Sequence, residues 1–439
     1  MTYQEAIAWL ESLESLGIRP GLERVEALLR RLGDPQRDFP SVLVAGTNGK
    51  GSVVAFLAAI LRAAGWDAGV YTSPHLIRFE ERVRVGGEPI PPGDLASLTD
   101  EVARGVAAHV KDGGAPPTYF EATTALAFLH FSRRRVPIAV LEVGMGGRYD
   151  ATNVVTPLAC AITPVSLDHT RWLGRTVAEI ALQKAGILKS GVPAAIAGQE
   201  PEAREVIRAE AARVGATLIE TADCEVARGA PSDPPRFSLR TPSGGDYPDL
   251  GPALRGDHQI ENAALAVLLA ERLARSGFAG IDGEDIARGV RSAVWPGRLE
   301  LIPAASGKPD LLLDGAHNPA GCAILAAYLS RHQAARPRRV LLFAAMKDKP
   351  AADMLALLKP VFDEMVATSL PVARGTPPTD LLGLATRAGL RAAAEPDVSK
   401  ALDRAARLAG PGGLLVASGS LYLVGEVMKR LEREVAAGG

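Results

Sequence analysis

The chain has 439 residues, a length that holds two or three domains of ordinary size. Its 49 basic and 50 acidic side chains leave a formal net charge of −1, which excludes a general nucleic-acid binder, since neutralising phosphates needs a basic excess. A composition of 47% hydrophobic and 23% charged residues excludes extensive disorder, and no uncharged apolar run reaches the roughly 18–20 residues of a membrane span.

The first segment, Met1–Leu16, carries Glu5, Glu11 and Glu14 among apolar residues and reads as an amphipathic helix, not a secretory signal. Short, nearly continuous apolar runs follow at Ser41–Thr47, Ala68–Ser73, Pro137–Gly144, Leu158–Val165 and Val192–Gly198, as expected of strands covered on both faces. Helical spacing lies between them, for example at Val53–Ala64 and Thr176–Leu188. This alternation predicts a mainly parallel α/β sheet. Arg228–Pro252, rich in Pro, Gly, Ser and Asp, predicts β-hairpin and loop excursions. A Pro-Gly turn within Val294–Leu299 interrupts the pattern, so the expected domains are 1–296 and 297–439. The second domain repeats the grammar, with strands expected at Leu311–Asp314, Val340–Ala345, Glu364–Thr368 and Leu414–Gly419. Cys160, Cys224 and Cys322 lie far apart, without zinc or disulfide spacing, and read as free thiols of a cytoplasmic protein.

The first chemical signal is Val44-Ala45-Gly46-Thr47-Asn48-Gly49-Lys50-Gly51-Ser52, placed between a predicted strand and a predicted helix. Glycines let backbone N–H groups approach phosphate oxygens, the helix N-terminus favours negative charge, and Lys50 adds a point cation. Ser52 is placed to offer a hydroxyl to magnesium. The segment departs from the usual G-x-x-x-x-G-K-[ST] loop: the spacing is shorter and Gly51 separates lysine from serine. Glycine turns before helices also occur without any nucleotide, but the lysine and the strand–helix context favour nucleotide binding. Glu142 ends an apolar run before a glycine turn, where open α/β sheets present ligands, although an ion pair or helix cap would also use a carboxylate there. His169 follows the next strand region, and chain order suggests that it sits beside Glu142 in the sheet. Lys184, in Ala181-Leu182-Gln183-Lys184-Ala185-Gly186-Ile187, reads by itself as a snorkelling helix lysine.

Gly-Thr-Asn-Gly-Lys resembles the nucleotide loop of the Mur ligase superfamily, and the following Gly-Ser resembles its folate branch, the dihydrofolate and folylpolyglutamate synthases. The likeness extends, in order and spacing, through Gly21–Val25, Thr72–Leu76, Glu81–Arg84, Thr118–Glu121, Glu142–Arg148, Asp150–Asn153, Leu167–Thr170, Lys184–Ile187, Gly297-Arg298 and Asp314–Pro319. It implies an α/β fold of two domains: a P-loop ATPase-type domain with helices on both faces of a mainly parallel sheet, then a smaller Rossmann-like domain. It also implies ATP contacts at Thr47, Asn48, Gly49, Lys50, Gly51, Ser52, Asn262, Arg298 and Asp314. Magnesium, in two sites, would be held by Ser52, Ser73, Glu142, His169 and Lys184, the last converted to a carbamate by carbon dioxide. Lys50, Lys184 and His317 are the implied catalytic residues. A pterin-carboxylate site is implied at Ile18, Arg19 and Pro20, at Thr118, Tyr119, Phe120 and Glu121, and at Tyr149, Asp150 and Ala151. Tyr119 and Phe120 suit stacking on a flat heterocycle, though aromatics there also serve as core.

The reaction the resemblance implies is ATP-dependent addition of L-glutamate to dihydropteroate, to folate polyglutamates, or to both, by a monomeric enzyme acting on small molecules. Whether potassium assists stays open. Two other readings remain at this stage. A cell-wall Mur ligase shares the chemistry, but a loop starting at Gly46 leaves little room for a uridine-nucleotide domain ahead of it. A non-catalytic P-loop protein explains Lys50 but not Glu142, His169 and Lys184.

Overall fold

A computed structural model describes residues 1–304 and 307–438, with side chains as far as Arg433. Among the described residues the first part of the chain builds an eight-stranded mixed sheet. Its strands are β1 (Ser41–Ala45), β2 (Gly69–Tyr71), β3 (Val83–Val85), β4 (Glu88–Pro89), β5 (Ala139–Glu142), β6 (Ala159–Ile162), β7 (Pro193–Ile196) and β8 (Thr217–Glu220). Their order is β4-β3-β2-β5-β1-β6-β7-β8. All pairs are parallel except the β2–β3–β4 edge, where the chain doubles back antiparallel.

Every residue of β1 is buried, because the sheet is covered on both sides. Leu43 and Ala45 face a core shared with α1 (Tyr3–Ser12), α2 (Glu23–Arg31), α4 (Pro92–Lys111), α5 (Tyr119–Arg134) and α7 (Val177–Ala185). Val42 and Val44 face another, built with α3 (Lys50–Ala63) and the helices His258–Arg275 and Gly283–Ser292. This period-two division of an apolar strand is what the uninterrupted runs in the sequence anticipate. The Pro/Gly-rich stretch forms an antiparallel unit of β9 (Glu225–Arg228), β10 (Phe237–Arg240) and β11 (Asp246–Leu250), anchored by Phe237, Leu239 and Leu250 in the second core.

The second sheet runs β12 (Glu300–Ile302), β13 (Asp310–Leu313), β17 (Leu414–Ser418), β14 (Arg339–Phe343), β15 (Glu364–Ala367) and β16 (Ala392–Ala394) in space, parallel except for β12. The four strands expected here are β13, β14, β15 and β17; the two edge strands β12 and β16 carry too little apolar pattern to announce themselves. One expectation fails. β1 lies between β5 and β6, so the strand that ends at Glu142 and the one that leads to His169 are not neighbours. Chain order misled because the strand leading into the phosphate loop occupies the sheet centre, a usual place for a topological switch point.

Candidate active site

The carboxyl ends of β1, β2, β5 and β6 meet the loops after β13, β14 and β17 around a cleft of about 310 Å³ between the two sheets. Gly46 lies in a conformation open chiefly to glycine (φ 144°), and a side chain there would strike the Thr163 hydroxyl. Gly49 caps α3 with φ 93°. Gly51 lies flat under the Trp295 indole, whose ring would be 2.5 Å from any added Cβ. With the loop held open, Lys50 folds back over it, Nζ donating to the carbonyls of Thr47 at 3.0 Å and Gly46 at 3.2 Å. Burial lowers the Lys50 pKa while the charges of Glu142 and Asp168 oppose that shift. Ser52 lies one turn into α3, its hydroxyl accepting from Gln259 at 3.4 Å. Asn262 packs its amide oxygen against Gly49 and donates to Gln259 at 2.9 Å.

Glu142, at the end of β5, is 5% exposed and accepts from the Ser73 backbone N–H at 3.1 Å. Burial pushes its carboxyl upward, against the attraction of Lys50, the Ser73 hydrogen bond, and Arg298. Lys184 is not a snorkelling lysine. It is 4% exposed, and its Nζ donates to the Gly46 carbonyl at 2.6 Å, so the amine reaches the back of the phosphate loop. Burial, followed by repulsion from Lys50, pushes its pKa down to about 7. His169 caps α6 (Thr170–Leu173) in the left-handed region (φ 48°), and burial pushes its ring down to about 4, keeping it neutral and able to ligate. Arg298 and Asp314 enter from the second sheet's side. Asp314 accepts from the backbone N–H groups of Leu299 and Ala316, both at 3.0 Å, and the half-buried Arg298 donates to the Gly297 carbonyl at 3.2 Å. His317 holds Nδ1 2.8 Å from the Gly315 carbonyl and presents Nε2 3.6 Å from Asp168.

The expected acceptor segments also converge. Arg24 donates to the Arg19 carbonyl and pairs with Glu121 at 2.9 Å, tying the Ile18–Pro20 loop to the start of α5. Thr118 and Glu121 form a reciprocal cap on that helix. Phe120 packs under Gly144 and against Tyr71, and Ala151 is buried, whereas Tyr149 and Ile18 are exposed. Asp150 spends its carboxylate on the Met145 and Thr152 N–H groups and on the Thr152 hydroxyl, so it shapes the Gly144–Asp150 turn.

The residue that sequence reasoning passed over is Asp168, with the groups that grip it. Lys349, after β14, forms an ion pair with it, both partners under a tenth exposed. Asn318 donates to it at 3.1 Å and exchanges hydrogen bonds with Asn48 at 3.2 and 3.0 Å. A signal for Lys349 existed: Lys347-Asp348-Lys349 directly follows an apolar strand, the position where such sheets present ligands.

A phosphate loop, a buried carboxylate beside it, and an arginine and aspartate closing from a second α/β layer define an ATP-dependent ligase. Comparison with known proteins agrees. The Mur ligase middle domain matches residues 44–270, and the Mur ligase glutamate ligase domain matches residues 297–421. The chain is 38% identical over 434 residues to a dihydrofolate synthase/folylpolyglutamate synthase of Bacillus subtilis, covering 98% of this chain and 99% of that one. It is 37% identical over 382 residues to the Escherichia coli enzyme of the same name, covering 86% and 84%. Among solved structures, Mycobacterium tuberculosis folylpolyglutamate synthase complexed with ADP and AMPPCP superposes with a TM-score of 0.88 at 34% identity, covering 97% and 98%. The Escherichia coli protein in complex with DHPP and ADP superposes with a TM-score of 0.85 at 32% identity, covering 98% of each chain. The chain belongs to the Mur ligase family, in its folate branch of dihydrofolate and folylpolyglutamate synthases.

Proposed function

We propose that the chain adds L-glutamate to dihydropteroate and to reduced folates, using ATP and releasing ADP and phosphate. The observation that carries this reading is the convergence of Lys50, Glu142, Lys184, Arg298 and Asp314 on one cleft lined from both sheets. A free carboxylate is a poor electrophile, so its oxygen first attacks the γ-phosphorus of ATP, giving an acyl phosphate and ADP. The glutamate amine then attacks the acyl carbon; the C–N bond forms, the C–O bond to phosphate breaks, and the amine loses a proton.

Each chain residue has a defined task. The loop amides from Thr47 to Gly51 and the Lys50 ammonium bind the phosphates. Asn262 orients the nucleotide beside Gly49. Arg298, which donates to the Gly297 carbonyl and feels the charge of Asp314, would meet the charge that develops on the transferred phosphoryl group. His317, which lines the cleft with Nε2 3.6 Å from Asp168, would hold the proton of the incoming amine. Acyl phosphates hydrolyse, so contact between the two layers through Asn48–Asn318 and Asp168–Lys349 serves to exclude water.

The site suits a hard divalent ion. No group of three or more His, Cys, Asp or Glu gathers as a metal cluster among the described residues. Magnesium does not need one, since it keeps waters and phosphate oxygens beside one or two carboxylates. Glu142, Ser73 and Ser52 would hold one ion, and His169 with a Lys184 carbamate a second; when bound, the ions neutralise the phosphates and orient the carboxylate. Lys184 fits carbamate formation because only a neutral amine adds carbon dioxide, with loss of one proton, and the amine is buried with its pKa pushed down to about 7. A monomer in the cytoplasm, with potassium as an auxiliary cation, completes the reading.

Steady-state phosphate release measured with dihydropteroate, tetrahydrofolate or a uridine-linked peptide, each with glutamate, tests it. Turnover with the two pterins alone is expected. Turnover with only the uridine-linked peptide, or none with any acceptor, would overturn it.

A further inference from the structure

The outward side of α3 floors a second cavity, of about 550 Å³, on the opposite face of the first sheet from α5. Its size falls within the roughly 300–1,000 Å³ of small-molecule sites. Ala55, Ala58 and Ala59, spaced along one side of the helix, are partly exposed on that floor, where a surface helix ordinarily shows water a polar face. Arg84 of β3 stands on one side, opposite Val70 in the antiparallel pair, and Arg288 of the helix Gly283–Ser292 lines the cavity too. Among the described residues no acid lines it. The arginines differ in how far their charge is met. Arg288 donates to the Ala63 carbonyl at 2.6 Å and forms an ion pair with Asp285. Arg84 gives only its Nε, to the Glu81 carbonyl at 3.2 Å, and Arg62 has neither a hydrogen-bond nor an ion-pair partner among the described residues. Arg62 leans toward the β3–β4 turn, where its Nη1 would be 2.8 Å from a Cβ at Gly87, three residues after Arg84. Two guanidinium groups without a counter-ion therefore stand toward one end.

The other end closes on Trp295, whose indole lies over Gly51 of the phosphate loop, and Gly51 in turn lines the catalytic cleft. One ring separates the two cavities. From Ala55 to Arg62 the helix rises about 10 Å, the length of a body of two linked aromatic rings. We propose that this second cavity is an effector site for an aromatic organic anion. The flat body would lie on the alanine floor against Trp295, with its carboxylate, sulfonate or phosphate between Arg62 and Arg84. Guanidinium suits such a head because its planar donors match paired oxygens. A ligand seated there holds the indole over Gly51, and so tightens ATP binding on the far side of the same ring; the coupling is reciprocal. The inference rests on the phosphate loop binding ATP, not on which acceptor the enzyme uses.

The test titrates two fluorescent probes of one body, 8-anilinonaphthalene-1-sulfonate and the neutral N-phenyl-1-naphthylamine, into the full chain with and without the ATP analogue AMPPCP. Arg62→Gln and Arg84→Gln should each weaken the sulfonate by about five- to tenfold, as loss of a charge-assisted contact does at a partly exposed site. Both should leave the neutral probe, and AMPPCP measured without any probe, where they were. In the parent, saturating sulfonate should lower the Kd of AMPPCP by about fivefold, and AMPPCP should lower the Kd of the sulfonate by the same factor. Trp295→Leu should abolish that coupling. Unchanged sulfonate affinity in both arginine variants, or equal weakening of both probes, would mean that the arginines do not read an anion. Absent coupling, or coupling kept in Trp295→Leu, would mean that the cavity does not address the loop. Each of these results overturns the inference. A parent that binds no AMPPCP would instead defeat the ligase reading, while the arginine variants still decide whether the cavity takes an anion.

Discussion

At the residue scale the site depends on two lysines whose roles differ. Among the described residues the Lys50 ammonium has only two carbonyls as hydrogen-bond partners, so an anion is what uses its charge fully. Lys50→Ala is expected to cut ATP turnover by at least about 10²-fold, as loss of a positioned electrostatic donor does, with an unchanged circular dichroism spectrum; near-normal phosphate release would contradict the loop assignment. On the proposed reading Lys184 is needed as a neutral amine. Lys184→Arg should be inactive, because guanidinium stays protonated and cannot add carbon dioxide. Lys184→Ala should regain part of its activity with added formate or acetate, which supply the missing oxygens. An active arginine variant, or an unmodified amine in high-resolution density of the nucleotide complex, would rule the carbamate out.

At the element scale, two devices hold the site in place. The turn from β1 into α3 has no room for side chains: Gly46 meets Thr163, and Gly51 meets Trp295. Gly51→Ala should push the indole off the loop and cost about 1–3 kcal/mol, as overpacking does, read as a lower urea midpoint together with weaker ATP binding. If stability falls and ATP affinity does not, Trp295 has no part in shaping the loop. The other device is α5, which carries the proposed acceptor segment at its N-terminus and is buried along nearly its whole length. Its His130 is 2% exposed, and burial pushes its pKa down to about 4. The sign follows from proton binding: below about pH 6.5 the unfolded chain takes up a proton at this ring that the folded chain refuses until about pH 4. Stability should therefore fall as pH drops through that window, at up to ~1.4 kcal/mol per unit. Chemical denaturation between pH 7 and pH 4.5 should show a slope shallower by about one proton in His130→Gln; identical slopes would place the ring's titration elsewhere.

At the scale of the whole molecule, the two layers meet on Asp168. Lys349, Asn318 and His317 come to it from one side, while the phosphate loop reaches Asn318 through Asn48. Removing one partner of a buried ion pair costs about 3–5 kcal/mol, because the remaining charge is stranded. Lys349→Met is therefore expected to shift the molecule toward an open arrangement, seen as a larger radius of gyration in solution scattering and as uncoupled ATP hydrolysis, since water then reaches the acyl phosphate. Tight coupling of phosphate release to glutamate incorporation in this variant would show that closure does not depend on the pair.

The sequence alone determined what is local. Apolar runs of four to six residues marked the central strands because burial on both faces leaves no other composition possible, and the glycine–lysine loop announced itself because its backbone must bend where side chains cannot follow. The short strands at the sheet margins, β3, β4, β12 and β16, were illegible, since two or three residues are too few to show a period. What only the tertiary structure decided is which distant residues meet. β1 inserts between β5 and β6, parting Glu142 from the strand before His169; Lys184 runs back to the Gly46 carbonyl across 138 residues; and Asp168 finds Lys349 across 181. These pairings depend on strand order and helix placement. Those follow from how whole faces pack, so no window of sequence contains them.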